Sequence, residues 1–113
     1  MHELGVLNSM VHTIERIIKE QEFTQVHKLT IEVGELSGIV PRYLEQSWPA
    51  ATYKTFMENT ELELIVVPGI VKCRDCERVF NAVYSDLCCP GCGGKQMDIL
   101  EGHDIIIKEI ACS

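Results

Sequence analysis

No apolar stretch in this 113-residue chain approaches the roughly 20 residues that a membrane-spanning helix needs, which excludes a helical membrane protein. A basic excess is missing too: 10 Lys and Arg stand against 17 Asp and Glu, a formal net charge of −7. Nucleic-acid binding draws its affinity from clustered Lys and Arg that neutralise phosphates, so no nucleic-acid partner is expected. The basic-then-apolar opening of a signal peptide is absent, because the chain begins Met1-His2-Glu3. A reducing cytoplasm is therefore the expected location. Repeats and low-complexity stretches are lacking, and no Ser-His-acid or Cys-His arrangement has supporting local context, so the chain does not read as an enzyme.

Against those absences stand two cysteine pairs, Cys73-x-x-Cys76 and Cys89-x-x-Cys92, with twelve residues between them. Each Cys-x-x-Cys is a tight turn that aims two thiolates at one point, and two such turns complete a tetrahedron. Four soft sulfur ligands in that arrangement select zinc, or less often iron, and leave no open coordination position for water or substrate. Two disulfides would need an oxidising compartment, of which the sequence gives no sign. The second pair sits in Cys89-Pro90-Gly91-Cys92-Gly93, where proline presets one turn dihedral and glycine permits positive φ, as a zinc-ribbon knuckle requires. Cys88 creates a register ambiguity as a rival ligand. The turn residues fall between Cys89 and Cys92, so Cys88 is expected to be a partly buried thiol beside the site. Cys112 is expected to be free or packed.

The charge is uneven. Residues 1–69 carry ten acids and five bases, residues 70–98 four of each, and residues 99–113 three acids and one base. Such a chain suits a cation handler or a protein partner. Its length allows one domain, or one domain carrying a small module. Leu7, Met10, Val11, Ile14, Ile17 and Ile18 recur at helical spacing and predict an amphipathic helix over residues 4–20. Residues 26–33 alternate as a strand. Pro41 fits the first turn of a second helix carrying Tyr43, Leu44 and Trp48, which Pro49 should kink or restart. Residues 61–67 alternate again and end at Pro68-Gly69. Val79–Tyr84 should hold a short strand between the knuckles, and Asp104–Ala111 a buried β-branched one. The resulting expectation is an α+β fold. A small three-stranded sheet with two helices is built from residues 1–69 together with 99–113. A zinc-ribbon-like lobe, residues 70–98, is inserted between two of its strands.

His2 would attract little notice inside a chain. At the second position, the free α-amine, the His2 amide nitrogen and the imidazole Nδ1 can close consecutive chelate rings in one plane. Planar nitrogen coordination favours Ni(II) or Cu(II). Glu3 can add its amide nitrogen or its carboxylate, and the residues leave both open. The orphan amides of the following helix repel a cation unless the ligands become anionic, so a metal held there should bind reversibly and respond to pH. That is the behaviour of a transfer site.

Several features then come together: Met1-His2-Glu3-Leu4 before an amphipathic helix, Glu32-Val33-Gly34 with Leu36-Ser37-Gly38, Glu61-Leu62-Glu63-Leu64 leading to Pro68-Gly69, and the two cysteine pairs. In this combination the whole chain resembles the HypA/HybF family of hydrogenase nickel-incorporation metallochaperones. The resemblance implies a nickel-binding lobe with Met1 (amine), His2 and Glu3 as ligands, and a structural zinc held by Cys73, Cys76, Cys89 and Cys92. It implies a nickel-donating partner GTPase and a hydrogenase large-subunit precursor as recipient, while a homodimer stays open. Some members carry histidines directly after the cysteine pairs, linked to urease maturation. Here Glu77 and Gly93 take those positions, so hydrogenase is the expected client. His103 is expected to be an exposed loop residue, and His12 and His27 ordinary helix and strand residues. The competing function, a zinc-ribbon module of a nucleic-acid or transcription complex, is disfavoured by charge.

Overall fold

Leu7, Met10, Val11, Ile14 and Ile18 recur at three- and four-residue steps, and the segment Glu3–Glu20 forms helix α1 with those side chains buried. The computed structural model describes residues 2–113. After α1 come strand β1 (Val26–Gly34), helix α2 (Pro41–Thr52) and strand β2 (Glu61–Val67). Strands β3 (Ile70–Cys73), β4 (Val79–Asn81), β5 (Met97–Glu101) and β6 (Ile105–Cys112) complete the chain.

The first sheet has the order β2-β1-β6. β1 and β2 run parallel, with Leu29 opposite Leu62 and Ile31 opposite Leu64. A parallel pair needs a crossover, and α2 supplies it. β6 returns antiparallel on the other side of β1, with Leu29 opposite Ile110 and Ile31 opposite Ile107. Three residues of β6 answer two of β1 there, because the register shifts between Thr30 and Ile31. That irregularity matters: without it, two isoleucines three apart would point to opposite faces, and one would be lost from the core.

Both helices cover one face of this sheet. Leu44, Trp48 and Ala51 of α2 join the α1 stripe and Leu29, Ile31 and Val33 of β1 in a continuous core. The Trp48 indole N–H donates to the Thr60 carbonyl at 3.0 Å, and the Thr60 hydroxyl donates to the Val26 carbonyl at 2.7 Å. A polar pair thus ties α2 to the start of β1 with its buried groups satisfied.

Two local expectations need correction. Pro49 does not interrupt α2, which continues to Thr52. Its missing N–H would have served the Glu45 carbonyl, and both residues lie on the exposed side of the helix, where water can replace that bond. The strand predicted over Asp104–Ala111 is not buried. β6 is an edge strand covered on one face, so Ile105, Ile107 and Ile110 are half-buried while Ile106 is exposed.

The second sheet, β4-β3-β5, is antiparallel throughout and lies in the chain between β2 and β6. The chain is therefore α+β: a three-stranded sheet with two helices, and an inserted three-stranded lobe that carries the cysteines. Val71, Cys73, Phe80, Ala82 and Cys89 form its own small core. The molecule measures 54 × 26 × 17 Å. Among the described residues, no helix is long and apolar enough to cross a membrane.

Candidate metal centre

Cys73 ends β3 and Cys76 follows in the turn toward β4. The Glu77 amide donates to the Cys73 carbonyl at 2.9 Å, and the Cys73 amide donates to the Arg78 carbonyl at 2.8 Å. Sixteen residues later the pattern repeats, with the Gly93 amide on the Cys89 carbonyl at 2.9 Å and the Cys89 amide on the Gly94 carbonyl at 2.8 Å. The residue after each second cysteine is left-handed in both turns, Glu77 at φ 63° and Gly93 at φ 75°. The two knuckles are thus copies of one local fold, although only the second has the glycine this conformation favours. The cysteine spacing announced two turns. Their shared geometry was hidden because Glu77 does not look like a turn residue.

The copies face each other. Cys73 Sγ lies 3.6 Å from Cys92 Sγ, Cys76 Sγ lies 3.5 Å from Cys89 Sγ, and all four sulfurs lie within 4.8 Å of one another. A tetrahedral ion with metal–sulfur bonds near 2.3 Å, as for zinc, would hold its sulfurs about 3.8 Å apart, so the cluster fits such an ion closely. Cys73 and Cys89 are buried at its base, and Cys76 and Cys92 are exposed at its rim. All six cysteines are free, Cys88 is half-buried beside the cluster, and Cys112 is half-buried against the main core. Among the described residues, the four cysteines are the one group of three or more His, Cys, Asp or Glu side chains able to share an ion.

Electrostatics prepare the cluster for a cation. The Cys92 amide, helped against burial by the Gly91 amide, pulls the Cys89 thiol down to about 6. The Gly94 amide acts to lower Cys92, but the neighbouring sulfurs of Cys73 and Cys76 prevail and push it up to about 12. Cys76 is also raised: the Arg78 amide acts to lower it, and the Cys89 sulfur and burial outweigh that. Four sulfurs this close cannot all ionise unless a positive ion offsets the mutual repulsion.

The N-terminal residues lie elsewhere. Met1 is outside the described residues. His2 is exposed at the N-cap of α1, its carbonyl accepts the Val6 amide at 2.9 Å, and its imidazole makes no capping hydrogen bond. Glu3, the first residue of α1, has a buried side chain whose Oε2 accepts the Val40 amide at 3.1 Å. Burial acts to raise its pKa, but the amide hydrogen bonds from Val40 and from Glu3 itself prevail, and the net shift is downward. The carboxylate therefore latches the start of α1 to the start of α2. His103 is exposed on the β5–β6 turn, 3.3 Å from Asp104. His12 is exposed on α1, and His27, on β1, contacts the Ser113 hydroxyl at 2.9 Å.

Comparison with known proteins agrees with this arrangement. The family model for hydrogenase/urease nickel incorporation, metallochaperone HypA, matches residues 1–112. A hydrogenase maturation factor HypA from Rhodopseudomonas palustris (strain TIE-1) is 31% identical over 110 residues, covering 97% of each chain. Another from Trichodesmium erythraeum is 33% identical over 111 residues, covering 97% of this chain and 94% of the relative. The solution structure of the Ni metallochaperone HypA from Helicobacter pylori superposes with a TM-score of 0.70, covering 99% of this chain and 97% of that one. At 18% identity, that last likeness speaks to the fold alone. With a match along nearly its whole length, the chain belongs to the HypA family of hydrogenase/urease nickel-incorporation metallochaperones.

Proposed function

We propose that this chain binds Ni(II) at its N-terminus and helps insert it into the precursor of the [NiFe]-hydrogenase large subunit. In this reading the chain acts as a carrier and not as an enzyme. Nickel is cargo, held by the Met1 amine, the amide and imidazole of His2, and Glu3. The observation that carries the reading is the contrast between His2 and Glu3. The His2 imidazole is exposed and uncommitted to capping, whereas the Glu3 carboxylate is buried and occupied by the Val40 amide. That contrast favours the Glu3 backbone amide over its carboxylate as a ligand. A first-turn amide has no carbonyl four residues back to serve, so deprotonating it breaks no helix bond and gives up only its hydrogen bond to the residue's own carboxylate.

Zn(II) is the proposed occupant of the Cys73, Cys76, Cys89 and Cys92 cluster, where it would hold the two knuckles together. With all four positions filled by sulfur, the centre has a structural task and no place for substrate. Residues 1–69 with 99–113 are proposed as the nickel lobe and residues 70–98 as the zinc lobe; the separate pairing of β3 with β4 and β5 supports a second lobe there, and because β5 runs to Glu101 that lobe extends three residues past 98. The proposed partners are a nickel-donating GTPase and the hydrogenase precursor, met in the cytoplasm.

The test uses protein with a native, untagged N-terminus, titrated with Ni(II) before and after His2→Ala. The expected result is loss of the diamagnetic, square-planar nickel spectrum with zinc content unchanged. Glu3→Gln should weaken binding less than His2→Ala. Unaltered nickel affinity in the untagged His2→Ala protein would refute the assignment.

A further inference from the structure

The two sheets are joined by only two chain crossings, from β2 to β3 through Pro68-Gly69 and from β5 to β6 through Gly102-His103-Asp104. Two glycine-bearing connections between end-to-end lobes look like a hinge, and relative motion is the default for lobes with a small contact. The elongation makes the question concrete. The radius of gyration is 17.3 Å, against about 13 Å for a compact chain of this length.

The segment that follows β1 contradicts a hinge. The Gly34 amide donates to the Asp104 carbonyl at 2.9 Å, the Glu35 amide to the Val67 carbonyl at 2.9 Å, and the Leu36 amide to the Gly102 carbonyl at 2.8 Å. Both crossings are thus pinned to three consecutive residues. A Cβ on Gly34 would lie 2.1 Å from the Gly102 oxygen, and one on Gly102 would lie 2.3 Å from the Pro68 oxygen. Gly34 is there for close approach of backbones, and Gly102 both for that and for its left-handed φ of 84°, so neither marks a hinge. The Leu36 side chain then packs against the small core of the second sheet.

Glu35 completes the junction. Its Oε1 accepts two hydrogen bonds, one from the Gly69 amide in the crossing at 2.9 Å and one from the Asn81 Nδ2 amide of the second lobe at 3.1 Å. Asn81 in turn accepts the Val83 amide at 2.9 Å and the Tyr84 amide at 3.2 Å through its Oδ1. One carboxylate therefore holds the crossing between lobes, the end of β4 and, through Asn81, the exposed loop after it. A groove of about 290 Å³ depends on this placement, since Ile39, Val40, Pro41 and Val66 line it from the first lobe and Val83 from the second.

The structure assigns Glu35 as a positioning residue that fuses the two lobes into one rigid body. Backbone bonds at a two-strand junction can rotate together, whereas a side chain that bridges to a third point removes that rotation. Asn81 is its necessary counterpart, and the pair 35/81 fixes the lobe angle without touching either metal-binding end.

Amide ¹⁵N relaxation of the full chain loaded with Zn(II) tests this. In the native protein, amides of β1 and β2 and amides of β3 and β4 should report one common, elongated tumbling motion. Glu35→Ala should lose it, the second lobe tumbling faster than the first, while zinc content and the amide spectrum within each lobe persist. Asn81→Ala should do the same, with shifts inside the second lobe confined to the loop whose Val83 and Tyr84 amides it holds. Glu35→Gln, whose carbonyl still accepts both bonds, should restore common tumbling. Independent tumbling in the native protein would overturn the assignment. So would common tumbling that survives both alanine variants, or a Gln variant no better than Ala. Should Glu35→Ala fail to fold, Asn81→Ala alone decides the outcome.

Discussion

Cys73→Ala should remove the zinc and with it the order of the second lobe, and the reason is quantitative. The core of that lobe consists of Val71, Phe80 and Ala82 together with two of the cluster's own cysteines, Cys73 and Cys89. Burying side chains the size of Val or Phe is worth about 1.5–3 kcal/mol each, so its buried apolar members supply about 4–6 kcal/mol, with a smaller share from the partly buried Leu36 and Met97. A structural zinc site contributes on the order of 10–16 kcal/mol of apparent binding free energy in small peptides, so the metal term is the larger. Removing one ligand forfeits most of that term and opens a gap where a fully buried sulfur had been. Among the described residues the first lobe has thirteen buried hydrophobic side chains of its own, and it should keep its fold. The assay is zinc per chain by elemental analysis, with amide spectra assigned to the two sheets. The expected result is a fall from one zinc per chain to a small fraction, with collapsed dispersion for β3, β4 and β5 and unchanged signals for β1, β2 and α1. Cys88→Ala, half-buried and outside the cluster, is the control and should change neither. One zinc per chain with an undisturbed second sheet in Cys73→Ala would refute the reasoning.

Gly34→Ala places a methyl 2.1 Å from the Gly102 oxygen, so backbone must shift; the expected cost is at least the ~1–3 kcal/mol of an overpacked core, read as a drop in thermal midpoint. Glu77 holds a left-handed conformation at φ 63° that costs a non-glycine residue roughly 1 kcal/mol. Glu77→Gly should therefore resist a zinc chelator at least as well as the native chain, while Gly93→Ala, the mirror change in the other knuckle, should resist it less. Lys28 has its pKa raised above 10.5 by its hydrogen bond and charge pairing with Glu63, 2.8 Å away. A raised lysine stabilises fully below its unfolded value and loses that contribution as pH climbs through the folded one. Lys28→Met should accordingly flatten the alkaline limb of thermal stability, where the native lysine loses its proton. An exposed pair contributes little, so the change at neutral pH should be small.

The features readable from the chain alone were those whose physics is local. The stripe from Leu7 to Ile18 could bury itself only as a helix, and the alternation in residues 26–33 and 61–67 only as strands. Cys-x-x-Cys is a turn before it is a ligand pair, so convergence of four sulfurs followed from spacing. Other features depended on partners far away in sequence, and no window of residues contains them. Glu35 carries no local mark, because its meaning comes from Gly69 and Asn81, 34 and 46 residues on. The Glu3 carboxylate looked like a ligand as much as a latch until the Val40 amide, 37 residues away, was found against it. β6 was apolar enough to be read as buried, and only its place at the edge of the sheet left Ile106 in solvent. Glu77 and Gly93 differ in chemistry yet share one backbone conformation, because the hydrogen bonds that close each knuckle impose it on whatever residue stands there. Periodicity and ligand spacing act within a few residues and survive in the bare chain, whereas burial, latching and lobe orientation exist only once distant segments share a surface.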